Sequence, residues 1–385
     1  MRAAPCHLAL LCIMAALAES ATAAGAAAGE SPRFTDTQDG WFDLSNFLDT
    51  AFGFVPVVMP ITEPAVGYGA AGALVFIDRR ESDSPGADIR PNVTAIGGMV
   101  TENDSQGLAA GHLGTWLDGR LRTQVGIADV DLNLEFFGLG GESTTGGDPL
   151  DYGIDARGGI AGASYRWGES RVWLGARYAL VNTTVAFGAP GSTPAPIDPA
   201  DRDLRLGVVT PSLTLDHRDN FFTPVRGWYV DLTVPLFREE VGSDRDFETA
   251  TLTGAWYQPV APEWFLAVRG TARTSTDGTP FFLRPYVELR GVQAISYQGE
   301  TTVDAEAELR WQFHSRFSVV GFVGAGLARG GALPGTDDER SVAAGGTGFR
   351  YLLARRHGLH MGIDLAFGPD DPVIYVIFGS AWLRP

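Results

Sequence analysis

The sequence predicts an all-β chain closing into a transmembrane antiparallel β-barrel of about sixteen strands. Three observations carry that expectation. From Thr302 to Phe313 the residues alternate without a fault: Val303, Ala305, Ala307, Leu309, Trp311 and Phe313 fall on one face, and Asp304, Glu306, Glu308, Arg310 and Gln312 on the other. Strict period-two alternation with a wholly apolar face marks a strand that meets lipid on one side and water on the other. The composition is 45% hydrophobic and only 19% charged, with 49 Gly. Yet beyond the N-terminus no stretch reaches the roughly 18 consecutive apolar residues of a membrane helix, and only helices and closed barrels satisfy every backbone group in lipid. Finally, the connections alternate in length: 117–119, 168–170, 260–262 and His314-Ser315 are tight, whereas 132–151, 187–203 and 277–301 are long. Short periplasmic turns and long external loops give that rhythm.

Residues 1–23 read as a secretory signal, with Arg2 as its charged start, His7 to Leu17 as its apolar core and Ala21-Thr22-Ala23 as its cleavage site. Both cysteines, Cys6 and Cys12, fall inside it, so a thiol-free exported chain is expected. Residues 24–52 read as a periplasmic leader in which Leu44, Phe47, Leu48 and Phe52 have the spacing of a short amphipathic helix, with Asp43 or Ser45 as its cap. Asp36, Asp39, Gly40 and Asp43 are spaced like part of a calcium loop, but Thr35 and Asn46 stand at its first and last ligand positions. A solvated acidic segment is the expectation there, and no metal or cofactor is expected anywhere.

The barrel is expected over 53–385, with strands near 53–60, 66–78, 91–102, 105–117, 119–131, 152–167, 171–184, 204–217, 227–238, 246–259, 262–276, 302–313, 316–328, 341–353, 357–367 and 373–383. Several repeat the opening pattern, as in Trp228, Val230, Leu232 and Val234 or Leu359, Met361, Ile363 and Leu365. The first is the weakest, because Pro56 and Pro60 lack the N–H that a ladder needs. Of the nine tryptophans, Trp116, Trp167, Trp173, Trp228, Trp256, Trp264, Trp311 and Trp382 fall near the expected periplasmic strand ends, where indoles prefer to lie. A net charge of −17 argues against nucleic acid as a partner. Outer-membrane lipid is the expected surrounding.

Asp216-His217-Arg218-Asp219-Asn220, followed by Thr223-Pro224 and Arg226-Gly227-Trp228, resembles a signature of the BamA/TamA superfamily of outer-membrane assembly and transport barrels. There Asp-x-Arg-Asp and then Pro-x-x-Gly form a periplasmic turn. The resemblance assigns Asp216, Arg218, Asp219, Pro224 and Gly227 to that turn. It runs from about Pro60 to Trp382 and continues with Leu289-Arg290-Gly291, similar to the family's Arg-Gly-aromatic motif on a loop folded into the lumen. Glu308-Leu309-Arg310, Gly346-Thr347-Gly348-Phe349-Arg350 and Asp364 to Gly368 resemble family strands. The sequence departs in carrying Val292 after the Arg-Gly pair, Gly324 where the family often has an acid, and Leu383-Arg384-Pro385 after the final aromatic, Trp382. The resemblance also implies a weak seam between the first and last strands. The family's periplasmic POTRA domains find no room between the predicted signal and the first strand, so a short form is expected.

Arg290, with Gly291 beside it, is the residue expected to fix the loop. A guanidinium in a partly desolvated lumen needs a carboxylate, and Glu306 and Glu308 point inward from the strand that follows. Arg269, Arg273, Arg310 and Asp364 are expected as lumen charges, most simply as hydrated ones. Gly379 and Trp382 are expected to form the C-terminal assembly signal. None of His112, His217, His314, His357 and His360 lies in a nucleophile motif, and Gly-x-Ser-x-Gly is absent, so no enzymatic activity is expected. Two functions remain open: insertion or transport of proteins or lipids, with a periplasmic accessory protein or client as partner, and a passive porin-like or structural barrel.

Overall fold

The computed structural model describes residues 34–50, 53–78, 91–136, 150–168, 170–187, 198–330 and 339–382. The predicted signal, both cysteines, Phe52 and residues 383–385 lie outside the described residues. A six-residue helix, α1 (Ser45–Thr50), precedes a single antiparallel sheet. Its strands are β1 (Gly53–Ile61), β2 (Gly69–Asp78), β3 (Asn92–Thr101), β4 (Gln106–Trp116), β5 (Leu121–Phe136), β6 (Leu150–Arg166), β7 (Val172–Phe187) and β8 (Asp203–Asp216). β9 (Gly227–Thr233), β10 (Leu236–Phe237), β11 (Phe247–Ala261), β12 (Trp264–Ser275) and β13 (Thr301–Trp311) follow. The last are β14 (Phe317–Arg329), β15 (Glu339–Ala354), β16 (Leu359–Phe367) and β17 (Val373–Phe378).

Consecutive strands pair throughout except β9 and β10, which do not pair with each other and both lie between β8 and β11. They are one stave, interrupted at Val234 and Pro235 because Pro235 cannot donate to the ladder. Seventeen strands thus make the sixteen staves of a β-barrel. The outermost registers are Gly53↔Ile77 to Ile61↔Gly69 at one end and Met361↔Phe378 to Ala366↔Val373 at the other. β1 keeps Pro56 and Pro60 on its exposed face, opposite Leu74 and Ala70.

The side chains alternate as the pattern dictates. In β13 Thr302, Asp304, Glu306 and Arg310 are buried while Val303, Leu309 and Trp311 are exposed. Val58, Ile96, Leu108, Ile127, Val323 and Ile363 share the outward face. So large an apolar band is untenable in water and is the natural surface of a wall set in lipid. Trp228 pairs with Trp256, and Trp264 stacks on Trp311 with ring centroids 5.5 Å apart, so the outward indoles do gather near the end with the short turns.

Four expectations are corrected. Trp173 and Trp382 face inward: Trp173 lies under Arg122, whose guanidinium sits 3.8 Å from the ring, and both indoles are buried. The last strand stops at Phe378, because Gly379 adopts φ +77° and turns the chain beneath the lumen. β5 runs on to Phe136, paired with β6 the whole way. The leader helix is one turn and a half, starting at Ser45 where Asp43 accepts the Ser45 N–H at 2.7 Å.

A charge on the lipid face tests the sidedness. Val323→Arg, at mid-strand in β14, is expected to cost about 2–4 kcal/mol in urea titrations of the refolded barrel in vesicles, against less than about 1.5 kcal/mol for Val323→Ile.

Candidate functional site

The 276–300 connection does not stay outside. Its turn Phe281–Leu283 packs Phe281 against Tyr152 and Phe187 of the long β6 and β7 staves. It then runs down the lumen, where Val287, Leu289 and Val292 join a buried cluster with Ala328, Val342 and Ala344. Gly324 and Gly326 of β14 make this descent feasible. A Cβ at Gly324 would lie 2.7 Å from Leu289 Cδ2, and one at Gly326 would lie 2.3 Å from Val287 Cγ1. Gly324, where an acid was expected by resemblance, is therefore a site of backbone-close packing that a carboxylate would block. Val292, in place of an aromatic, fills the same apolar cluster.

At the bottom of the loop Arg290 meets three carboxylates. Its Nε and Nη2 donate to Glu306 Oε1 at 3.0 and 2.7 Å, and its Nη1 donates to Glu308 Oε2 at 2.8 Å and Asp364 Oδ2 at 2.7 Å. The backbone N–H of Arg290 adds a bond to Glu306 Oε2 at 3.3 Å, and the guanidinium lies 3.6 Å from the ring centre of Phe322. Gly291 turns the chain back at φ +88°, against the end of β16, and its N–H donates to the Tyr375 hydroxyl at 3.2 Å. Arg350 also holds Asp364. Arg290 and Asp364 were read from the sequence as separate features; the structure brings them together, with Arg290 joining β13 to β16.

The same loop is gripped higher up. Arg269 donates to Asp304 Oδ1 at 3.0 Å and to the carbonyl of Glu288, and Arg273 bonds Asp304, the Glu288 carboxylate and the carbonyl of Tyr286. Two of the expected lumen charges are thus not hydrated pore lining. They are buried, and their donors hold loop backbone as well as a strand carboxylate. Arg310 joins neither group.

The turn 217–226 crosses the floor of the lumen. Asp216 accepts from the Arg218 backbone and, by both oxygens, from its guanidinium, while Asp219 accepts from the N–H groups of Val225 and Arg226. Asn220 reaches the His357 carbonyl of the β15–β16 turn at 2.8 Å. Gly227 has φ +106°, and a Cβ there would lie 2.1 Å from the His217 carbonyl. The chain end meets this floor: Ser380 N–H donates to the Phe222 carbonyl at 2.5 Å, and Trp382 Nε1 donates to Glu306 Oε1 at 2.6 Å. Glu306 therefore serves the loop and the C-terminal segment at once.

Sequence reasoning missed a third cluster. Residues 35–42 form a hairpin closed by a Thr35–Phe42 bridge, and its carboxylates converge on Arg316 of the β13–β14 turn, at 2.5 Å from Asp36, 2.6 Å from Asp39 and 2.6 Å from Asp43. Arg355 binds Asp36 and Asp39, while Arg356 and His357 bind Asp49 of α1. The acidic spacing that resembled a calcium loop holds a guanidinium instead. The expected solvated acidic segment is instead an ion-paired one, and no signal in the sequence pointed to Arg316. Arg316 holds Asp39 at about 2, its hydrogen bond outweighing the cost of burial. Against a larger burial cost, bonds from Ser45, Arg316 and Arg355 also bring Asp43 below its usual range.

Sixteen staves around a lumen that holds an inward-folded loop define a transmembrane β-barrel with an internal loop. Its fold is shared with BamA from Haemophilus ducreyi lacking POTRA domains 1–3, at a TM-score of 0.57 and 12% identity over 86% of this chain and 70% of that one. CdiB from Escherichia coli matches at 0.58 and 13% identity, covering 84% of this chain and 61% of that one; CdiB from Acinetobacter baumannii matches at 0.54 and 10%, covering 83% and 58%. The chain thus spans about three fifths of either CdiB chain. No family model matches the chain, and no curated protein matches it.

Two expectations follow. Arg290→Ala strands three carboxylates in a desolvated site and is expected to cost about 3–5 kcal/mol, read as a lower unfolding temperature in a heat-modifiability gel. Because the Asp39 and Asp43 pKa values are depressed, the stability these carboxylates give the hairpin is complete above the ordinary carboxylate range and is lost as pH falls from about 4 towards 2. A spin label at Thr37→Cys is expected to stay immobile from pH 8 to 5 and to loosen below pH 4, whereas in Arg316→Ala it is mobile at every pH.

Proposed function

We propose that the protein resides in the bacterial outer membrane and serves the insertion or transport of proteins or lipids, without covalent chemistry of its own. The observation that carries this reading is the loop 276–300, seated in the lumen and tied by Arg290 to β13 and β16. A loop held this firmly in the lumen suits a barrel with a closed resting state better than a permanently open pore. A barrel that moves clients needs a closed resting state and an element whose release opens it. The shared fold with BamA and CdiB supports the same reading. The surrounding partner is outer-membrane lipid, and the working partner is a periplasmic client or accessory protein; nucleic acid has no place against so acidic a chain.

Reconstitution tests it in two ways. In planar bilayers the native protein is expected to give brief, flickering openings that lengthen in Arg290→Ala; a steady, large, solute-selective conductance overturns the reading in favour of a porin. Vesicles carrying the native barrel are expected to take up an unfolded β-barrel client several-fold faster than empty vesicles. Equal rates count against an assembly role.

A further inference from the structure

Between the Arg290 cluster and the floor lies a pocket lined by Arg310, Glu308, Arg350, Tyr257, Thr223 and Ser380. Most of its polar groups are committed elsewhere. Glu308 is bound to Arg290, Arg350 to Asp364, and the Thr223 backbone N–H to Asn220 Oδ1. Arg310 is different. It is 5% exposed, and its contacts are a 3.4 Å approach of Nη1 to His360 Nε2 and the face of Phe265 at 4.8 Å. Among the described residues no carboxylate lies within ion-pair distance of it, in a lumen where Arg269, Arg273, Arg290 and Arg350 each have at least one. A guanidinium carries five N–H donors, and Arg310, with His360 and Phe265 against it, lines the pocket. The pocket also holds an orphan, the Thr223 hydroxyl, buried with no hydrogen-bond partner.

We propose that this pocket is a binding site for a monocarboxylate. A planar guanidinium fork matches the two oxygens of a carboxylate, and the Thr223 hydroxyl supplies one further donor. Charge sets the valence. Arg290, Arg350 and Arg310 already balance Glu306, Glu308 and Asp364, so a singly charged carboxylate supplies two acceptors with the least added charge, where a doubly charged phosphate adds twice as much. The balance of charge leaves the donors of Arg310 unmatched, and those donors are what the ligand satisfies. A free small acid and the terminal carboxylate of a polypeptide share this chemistry. The site does not depend on the transport reading.

Saturation-transfer NMR on the full chain in detergent, with acetate as probe at fixed ionic strength, tests it. Acetate is expected to receive saturation from the native protein, with at least tenfold weaker binding in Arg310→Gln and a few-fold loss in Thr223→Val. Acetamide, of the same shape without the charge, is expected not to bind. Equal transfer to acetate in all three proteins, or equal binding of acetamide and acetate, overturns the site. Thr223→Val decides the matter if Arg310→Gln does not fold. An N-acetylated dipeptide acid binding more tightly than acetate, with its amide inert, assigns the site to a chain end; acetate alone binding assigns it to a small free acid.

Discussion

A guanidinium withdrawn from water must be met by carboxylates, and the interior of this barrel is organised by that requirement. Arg269 and Arg273 share Asp304, Arg290 gathers Glu306, Glu308 and Asp364, and Arg316 gathers Asp36, Asp39 and Asp43. Each group ties a segment that is not wall to a strand or turn that is. Arginine suits this because its planar fork holds several acceptors at fixed angles. Removal of one partner exposes the remaining charges to a medium that does not solvate them, which makes these joints far stronger in place than surface ion pairs.

The wall rests on different physics and was the more legible for it. Two solvents impose a period of two on every stave, so the alternation in β13 could be read with no partner in view, and all sixteen staves fell near their expected places. Two of the errors lie where alternation gives no information. Val234-Pro235 splits one stave without disturbing its parity. Trp382 stands just beyond the last paired residue, where Gly379 sends it inward to Glu306 instead of outward to the interface.

The site was legible in part. Inward parity and the resemblance of Leu289-Arg290-Gly291 brought Arg290 together with Glu306 and Glu308. Asp364 was seen to face inward, but its distance of 74 residues from Arg290 left nothing local to join them. Gly324 looked like a missing acid, and only the packed Leu289 side chain explains it. The leader was read as solvated because its acids had no visible cation. Their partner stands some 270 to 280 residues away.

That separation bears on how the molecule is made. The hairpin 34–43 precedes every stave in the chain, yet its carboxylates find their partners on the β13–β14 and β15–β16 turns. Contacts closing so long a stretch carry the greatest entropic cost and form late in folding. The earliest described segment to be synthesised is thus among the last to be satisfied. Twelve staves are synthesised before Arg316 and fourteen before Arg355, so the capture of its acids comes near the end of the barrel's own construction.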